Sequence, residues 1–375
     1  MAPPSNRLLR PAGLLVLAGV VLLAVRGSLG GGFVFDDFYL LALPRYYDNP
    51  LLPFWQEHVE GGLHYRPLGL VLWWISERLF GARPLLHYLL NAALLIAVAA
   101  GLWRLLEASG ARRSHAFVLA LAFAVSPVAV ATDIWLANRY ELLACLFGLA
   151  ALVACRRYRT GGATSDLVIA TVLFALALAA KESALALIAA AVVLIAWPLD
   201  GLARWTGLRD RGVLVLVALV AAWFVVRAVV LPAEGVDALL ADTSPARLVR
   251  EGAIAWFRQW WSFFGLWPRL DGFVAAAYLI GMLLFVVLLA SGLRSAWSRD
   301  RMALLVAGLV VFLASGLVQW PRTGLALGHL QFGRATFEDV LGARHYFMPW
   351  LGLAMAFAAL LAAPAAPARR VRAIA

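Results

Sequence analysis

Two adjacent carboxylates, Asp36 and Asp37, follow the first apolar run of the chain in the segment FVFDDFYLL. Carboxylates at the edge of a membrane segment are costly unless they are solvated or used. They either begin a solvated loop and cap the next helix, or accept a proton from a substrate hydroxyl group. Adjacent side chains on a helix point about 100° apart, so one of the two faces a shared site. We predict that both are catalytic, with Asp36 as the general base and Asp37 as its partner or its positioning group.

Lys181 is the only lysine of the chain and lies beside Glu182 between two apolar stretches. An ammonium group at that depth needs an anion. Glu182 is one candidate, although adjacent residues of a helix do not face each other, and the phosphate of a ligand is the other. We predict that Lys181 binds a phosphate and that Glu182 supports it.

Two further segments, LHYRPLG and GARHYFMPW, place a cation beside aromatic residues next to an apolar run. In the first, Arg66 follows His64 and Tyr65, and it either snorkels to a lipid headgroup or binds an anionic ligand. In the second, Arg344 and Tyr346 resemble an ordinary interfacial anchor when taken alone. Together with the other segments, Arg344 adds a second cation to the same face.

The segment SPVAVATDIWLANRYE carries three ionisable residues within nine positions: Asp133, Arg139 and Glu141. Ser126 and the proline after it lie inside an apolar run, which predicts a kink there. The three charged residues form either a structural ion pair or part of a site.

A carboxylate beside several cations suits a reaction in which the carboxylate takes a proton and a phosphate leaves. Fixed Lys and Arg side chains stabilise the charge that the leaving phosphate gains. Inverting glycosyl transfer from a lipid-linked phosphosugar has these requirements, by analogy with inverting hydrolases. The predicted donor-phosphate ligands are Lys181, Arg139, Arg66 and Arg344, and the predicted supporting residues are Glu182, His64, Tyr65, Asp133, Glu141 and Tyr346.

The elements that must position these residues are membrane helices. The 375 residues are 63% hydrophobic and 14% charged, against about 25% charged in soluble domains. Most apolar runs reach about 17–25 residues, the length that one helix needs to cross a bilayer. The runs cover 12–25, 84–106, 115–132, 139–155, 167–199, 212–231, 272–293, 302–320 and 345–363. We predict an all-α polytopic protein with about ten transmembrane helices in a single domain over 1–375, without a soluble C-terminal domain.

Arginines lie in every second loop, which by the positive-inside rule places both termini in the cytoplasm. This alternation requires that 167–199 crosses twice, because one helix of that length would measure roughly 50 Å. The first run is either a retained span, which we favour, or a signal peptide. The apolar but Trp-rich segments 66–80 and 256–267 are predicted to be interfacial helices in outer loops. The active site is then extracytoplasmic.

The net charge of +11 resembles that of nucleic-acid-binding proteins, but the basic residues lie in short loops and set the topology instead. The two cysteines, Cys145 and Cys155, lie in one apolar run. We predict that they serve as small apolar residues and form neither a disulfide nor a metal site. The sequence indicates no metal ligands, and it leaves open a requirement for a divalent cation.

In this order along the chain, the polar segments resemble the GT-C superfamily of membrane glycosyltransferases. The likeness is to the transmembrane O-mannosyltransferases that carry tetratricopeptide repeats and to their bacterial relatives. The matching motifs are FVFDDF, YRPL at 65–68, HYLLNAALL from His87, SPVAVATDIWLANRYE, the Lys-Glu pair at 181–182, and the Arg-x-Tyr-x-x-Pro pattern from Arg344. The chain departs from the family pattern where Ser126, Ala129 and Ala131 replace two histidines and a glutamate, and it lacks the repeats.

The resemblance implies a GT-C-like fold, a catalytic Asp in the first outer loop, and a polyprenyl-phosphate sugar as donor. It implies that the Lys-Glu region and nearby arginines contact the donor phosphate. The expected partners are therefore a lipid-linked sugar donor, a glycan, lipid or protein acceptor, and membrane lipids, with no nucleic acid. The expected location is a bacterial inner membrane. A transporter or flippase and a catalytically degenerate scaffold subunit are the two alternatives.

Overall fold

A computed structural model describes residues 9–34, 36–43, 46, 48–56, 64–197, 210–231, 299–326 and 347–361. Within these ranges the chain forms α-helices, three short 3-10 helices and connecting turns, and no strand. The α-helices are α1 Leu9–Ala24, α2 Asp36–Ala42, α3 Pro67–Phe80, α4 Pro84–Ala108, α5 Arg113–Ala124, α6 Pro127–Ile134, α7 Arg139–Gly161, α8 Thr164–Ala180, α9 Ala184–Ala196, α10 Arg211–Val230, α11 Arg299–Ala326 and α12 Phe347–Leu361. The predicted all-α class is confirmed for this part of the chain.

Three helical stretches are long and apolar enough to cross a membrane: α4, α10, and Leu136–Gly161, which contains α7. The bent pair of α5 and α6 makes a fourth if it counts as one broken span. The helices α1, α8, α9 and α12 are apolar but shorter, and a straight crossing needs about 20 residues. The described residues therefore support membrane association with three to four spans, and the total of about ten stays a prediction.

The bend between α5 and α6 measures 52° and follows Val125. Ser126 begins α6, and its Oγ accepts a hydrogen bond at 3.2 Å from the backbone N–H of Ala129. The following Pro127 stands at the first helical position, where its missing N–H is tolerated. The predicted kink at this dipeptide is confirmed, and it has a local cause.

The long apolar run 167–199 is two helices, as predicted from its length. The first, α8, ends at Ala180, and the second, α9, begins at Ala184. Between them the backbone at Lys181 is extended, with φ −164° and ψ 144°. The break therefore lies at the three polar residues Lys181, Glu182 and Ser183.

Large aliphatic side chains on the outside of the bundle face away from the protein. Leu15 of α1, Val168 of α8 and Val229 of α10 are exposed by 74%, 56% and 80%. Exposed apolar side chains of this size fit the hydrocarbon core of a bilayer, which is as apolar as they are.

Inside the bundle, small residues let helices approach closely, which is typical of membrane helix packing. The backbones of α11 and α12 meet at Gly308 and Gly352, where a Cβ on either would lie 2.6 Å from the carbonyl oxygen of the other. At Gly148 of α7, a Cβ would overlap the Leu187 Cδ1, so the absence of a side chain there makes space for this leucine of α9.

Charged residues lie at the two ends of this bundle. One end, here called the basic end, holds the Arg113–Glu107 pair at 3.5 Å and the Arg156–Asp300 pair at 3.1 Å. There Arg301 also donates to the carbonyl oxygen of Ala359 at the end of α12. The opposite end, here called the site end, holds the starts of α3, α4, α7 and α9 and the end of α8.

Candidate functional site

The first turn of α7 is the centre of the site end. Its residues Arg139, Tyr140 and Glu141 are all buried. Successive side chains on a helix point about 100° apart, so these three neighbours reach three different surroundings. Arg139 and Tyr140 contact α3 at different points, and Glu141 contacts the break between α8 and α9.

Glu141 forms an ion pair with Lys181 at the break between α8 and α9. The Lys181 Nζ lies 2.5 Å from the Glu141 Oε2, and the two side chains are 13% and 2% exposed. The sequence had left Glu182 or a phosphate as the partner of Lys181. The anion that the structure supplies is instead a carboxylate from the neighbouring helix, which the sequence had grouped with Arg139 and Asp133.

Glu182 forms its own ion pair with Arg66, which directly precedes α3. The Arg66 Nε donates to the Glu182 Oε2 at 2.9 Å, and Nη2 donates to Oε1. This two-point contact is the strongest geometry for a guanidinium and a carboxylate. The Arg66 guanidinium also lies over the ring of Tyr140, 5.6 Å from its centroid. Arg66 is 8% exposed, so its side chain is held in the bundle and does not snorkel to a headgroup.

The residues Arg66, Glu141, Lys181 and Glu182 are called the four-charge cluster from here on. Two positive and two negative groups make its net charge zero. The cluster connects the start of α3, the first turn of α7 and the α8–α9 break. The sequence predicted all four residues for the site, and the structure brings them together at one end of the bundle.

Arg139 lies outside the four-charge cluster. It belongs to a second polar cluster, formed with residues of α3 and α4 and here called the Arg139 cluster. It is completely buried. Its Nε donates to the Asn91 Oδ1 at 3.0 Å, Nη1 donates to the Ser76 Oγ at 2.8 Å, and Nη2 donates to the His87 carbonyl oxygen at 3.3 Å. The guanidinium also stacks over Trp73, 4.1 Å from the ring centroid. Every nitrogen of Arg139 therefore has a partner within the protein.

The partners of Arg139 were missed as site residues by sequence reasoning, although a signal for them exists. Ser76 and Trp73 are three residues apart on α3, and His87 and Asn91 are four residues apart on α4. Residues with these spacings share one face of a helix. Polar residues repeated in this way on apolar helices would have indicated a buried contact.

The two predicted catalytic carboxylates have different environments. Asp36 is exposed at the start of α2, whereas Asp37 is completely buried. The Asp37 Oδ2 accepts a hydrogen bond at 2.9 Å from the backbone N–H of Val34, three residues earlier. A side chain that reaches back to the start of its own helix in this way is a capping contact. Asp36 is therefore the accessible carboxylate of the pair, and Asp37 is held against the backbone before its own helix.

Burial raises the pKa of Asp37 from 3.8 to about 6, against the opposing effects of the Val34 hydrogen bond and of the Arg139 charge. The neighbouring charge of Asp36 adds to the increase. Asp37 is therefore mostly ionised at neutral pH and becomes protonated in mildly acidic solution. This links the carboxylate pair electrostatically to the Arg139 cluster.

Asp133 is completely buried near the end of α6, and it does not form the ion pair with Arg139 that one interpretation of the sequence placed there. Its carbonyl oxygen accepts a hydrogen bond at 3.2 Å from the Asn91 Nδ2. Within the described residues, neither oxygen of its carboxylate has a hydrogen-bond partner. Asn91 therefore joins the Arg139 cluster to the end of α6.

The remaining predicted residues are more peripheral. The Tyr65 hydroxyl donates to the carbonyl oxygen of Phe54 at 3.0 Å and so fixes the segment before α3. His64 is partly buried in the same segment. Arg344, Tyr346 and the segment 256–267 lie outside the described residues.

Among the residues that the structure describes, no group of three or more His, Cys, Asp or Glu side chains has the arrangement of a metal site. The chain matches no protein-family model, no curated protein and no solved structure.

Proposed function

We propose that this protein is an inverting glycosyltransferase of the GT-C type that uses a polyprenyl-phosphate sugar as donor. The observation that carries the proposal is the four-charge cluster. It places Arg66 and Lys181 at the site end of the bundle. The helix α2, which carries the exposed carboxylate of Asp36, packs against α3, the helix that Arg66 directly precedes.

In the proposed reaction, Asp36 accepts the proton of an acceptor hydroxyl group, and the acceptor oxygen forms a bond to the anomeric carbon of the sugar. The bond between that carbon and the phosphate oxygen breaks on the opposite side. The polyprenyl phosphate leaves with one more negative charge than it had in the donor. Lys181 and Arg66 stabilise that charge, which is the main way a protein can lower such a barrier.

Both proposed phosphate ligands are already paired with carboxylates, which keeps these buried cations from destabilising the empty site. Lys181 has three N–H donors, and its ion pair with Glu141 involves one carboxylate oxygen, so a phosphate oxygen can join the pair without breaking it. Arg139 is not among the proposed ligands, because it is completely buried and its nitrogens donate to protein oxygens.

The proposal retains the predicted topology. About ten spans would form one GT-C-like domain in a bacterial inner membrane, with the site end facing outwards and both termini in the cytoplasm. Arg344, outside the described residues, stays a predicted donor-phosphate ligand, and Tyr346 a predicted supporting residue. The acceptor would be a glycan, a lipid or a protein.

One observation favours a second candidate function, a lipid or polysaccharide transporter. The α5–α6 span is bent by 52°, and α8 and α9 are separated by a polar break. Broken helices of this kind often carry the substrate sites of transporters. A transporter, however, needs no general base, whereas the proposed reaction uses the exposed carboxylate of Asp36.

The experiment reconstitutes the purified full-length chain in liposomes with a panel of radiolabelled polyprenyl-phosphate sugars and a membrane extract as acceptor source. We expect label to transfer, and we expect Asp36→Asn to lower the rate by about 100-fold or more, as for removal of a general base. Asp48→Asn is the matched control, because Asp48 is an exposed carboxylate in the same segment. Equal rates for wild type and Asp36→Asn would refute the assignment, and labelled lipid that crosses the bilayer without sugar transfer would support the transporter.

A further inference from the structure

Arg139 is a buried cation for which no carboxylate among the described residues forms an ion pair. Burial of a charge away from water is costly, and such residues inside membrane proteins usually have a function. Its hydrogen bonds to Asn91, Ser76 and His87 and its stacking on Trp73 offset that cost in part. All of these partners belong to α3 and α4, so the contact that Arg139 makes is between helices.

The helix α3 lies against the first turn of α7 at three successive points. At its start, the guanidinium of Arg66 covers the Tyr140 ring. At Gly69, a Cβ would overlap that same ring, so the helix backbone itself touches it. Two turns later, Trp73 and Ser76 contact Arg139.

The distance along α3 between the Arg139 contact and Arg66 is about 15 Å, at 1.5 Å per residue. A helix of this length is rigid, so a shift at Ser76 moves Arg66 as well. The two-point contact between Arg66 and Glu182 tolerates little displacement. The position of the four-charge cluster therefore depends on the contact at the far end of α3.

We propose that Arg139 is a positioning residue, which fixes α3 against α4 and α7 and so holds Arg66 in place beside Glu182 and Lys181. It acts on the site through the helix and makes no contact with the ligand. Its relevance to phosphate binding rests on the proposed function, whereas its hold on α3 does not.

The first arm of the test measures hydrogen–deuterium exchange of α3 amides in the purified full-length protein without ligand. We expect Arg139→Gln to raise the exchange rate across α3 by roughly tenfold to a hundredfold, because hydrogen bonds to a charged group are lost. Ser76→Ala removes one acceptor and should give a smaller increase in the same amides. Arg104→Gln, which changes a half-exposed arginine at the basic end, should change none of them.

A folded Arg139→Gln protein with wild-type exchange in α3 would overturn the proposal. Should Arg139→Gln fail to fold, Ser76→Ala decides alone. Unchanged exchange in that variant would equally count against the proposal.

The second arm measures the binding of polyprenyl phosphate by native mass spectrometry. We expect Arg139→Gln and Arg139→Lys to weaken binding alike, by about tenfold. The single ammonium of lysine cannot replace the planar fork that reaches Asn91, Ser76 and His87. In an Arg66→Gln background, Arg139→Gln should weaken binding by less than about threefold more, since its effect passes through Arg66.

If Arg139 and Arg66 both bound the phosphate directly, the losses of affinity caused by their two substitutions would multiply. In that case Arg139→Lys would also retain most of the wild-type affinity. Either result overturns the positioning role. Wild-type protein that binds no polyprenyl phosphate would refute the proposed function instead, and the exchange measurements would then decide the positioning role by themselves.

Discussion

Removal of the Lys181 ammonium should destabilise the protein, because it leaves the Glu141 carboxylate alone inside the helix bundle. The Glu141 side chain is 2% exposed, and its Oε2 lies 2.5 Å from the Lys181 Nζ. Breaking a buried ion pair by removing one partner costs about 3–5 kcal/mol, because the other charge stays buried. We therefore expect Lys181→Met to lower the free energy of unfolding by about 3 kcal/mol or more. This is about a hundredfold in the unfolding equilibrium constant.

The double variant Lys181→Met/Glu141→Met should recover most of that loss. Replacing both members of a buried ion pair by apolar residues of similar volume is often neutral or stabilising. The double variant should nevertheless fail to bind polyprenyl phosphate, because its ammonium is missing. The double variant thus distinguishes the effect of the ion pair on the free energy of unfolding from its effect on ligand binding.

The measurement is reversible unfolding in mixed detergent micelles, followed by tryptophan fluorescence. Arg66→Met serves as the matched comparison, because its partner Glu182 is 23% exposed at the side chain and keeps some access to water, so the loss should be smaller. The reasoning is refuted if Lys181→Met costs less than about 1 kcal/mol, or if the double variant is no more stable than Lys181→Met.

Two further predictions concern the stability of the site end. Burial raises the pKa of Asp37 from 3.8 to about 6, so the folded state binds the proton more tightly than the unfolded chain. The stabilisation from Asp37 is therefore present below about pH 4 and lost as the pH rises through 6, by about 3 kcal/mol. Unfolding measured from pH 4 to 7 should show this loss in wild type and not in Asp37→Asn, and parallel curves would contradict it. Gly69→Ala should destabilise the protein by about 1–3 kcal/mol through overlap with the Tyr140 ring. Gly19→Ala is its control, because a Cβ there meets no atom within 4 Å, and equal thermal stability of the two variants would rule out the close contact.

Several features of the fold were predictable from the sequence because their causes are local. Apolar runs of the length of a span predicted helices, and the excessive length of 167–199 predicted the break that lies at Lys181–Ser183. A serine and a proline at 126–127 predicted the kink. Each of these features depends on the conformational preferences of a few consecutive residues, so it can be inferred from the sequence without knowledge of the tertiary contacts.

The partners of the charged residues were decided only by the tertiary structure. The sequence required an anion for Lys181 and left Glu182 or the phosphate of a ligand as candidates, whereas the structure supplies Glu141, 40 positions away. Arg66 and Glu182 are 116 positions apart, and no local pattern relates them.

Arg139 shows the same division between local and long-range information. Its place at the start of α7 was predictable, whereas its complete burial against α3 and α4 was not. A charge in a membrane protein must find compensation, because an unpaired charge in hydrocarbon is costly. The sequence alone determined that these cations need partners, and the packing of distant helices decided which groups they meet.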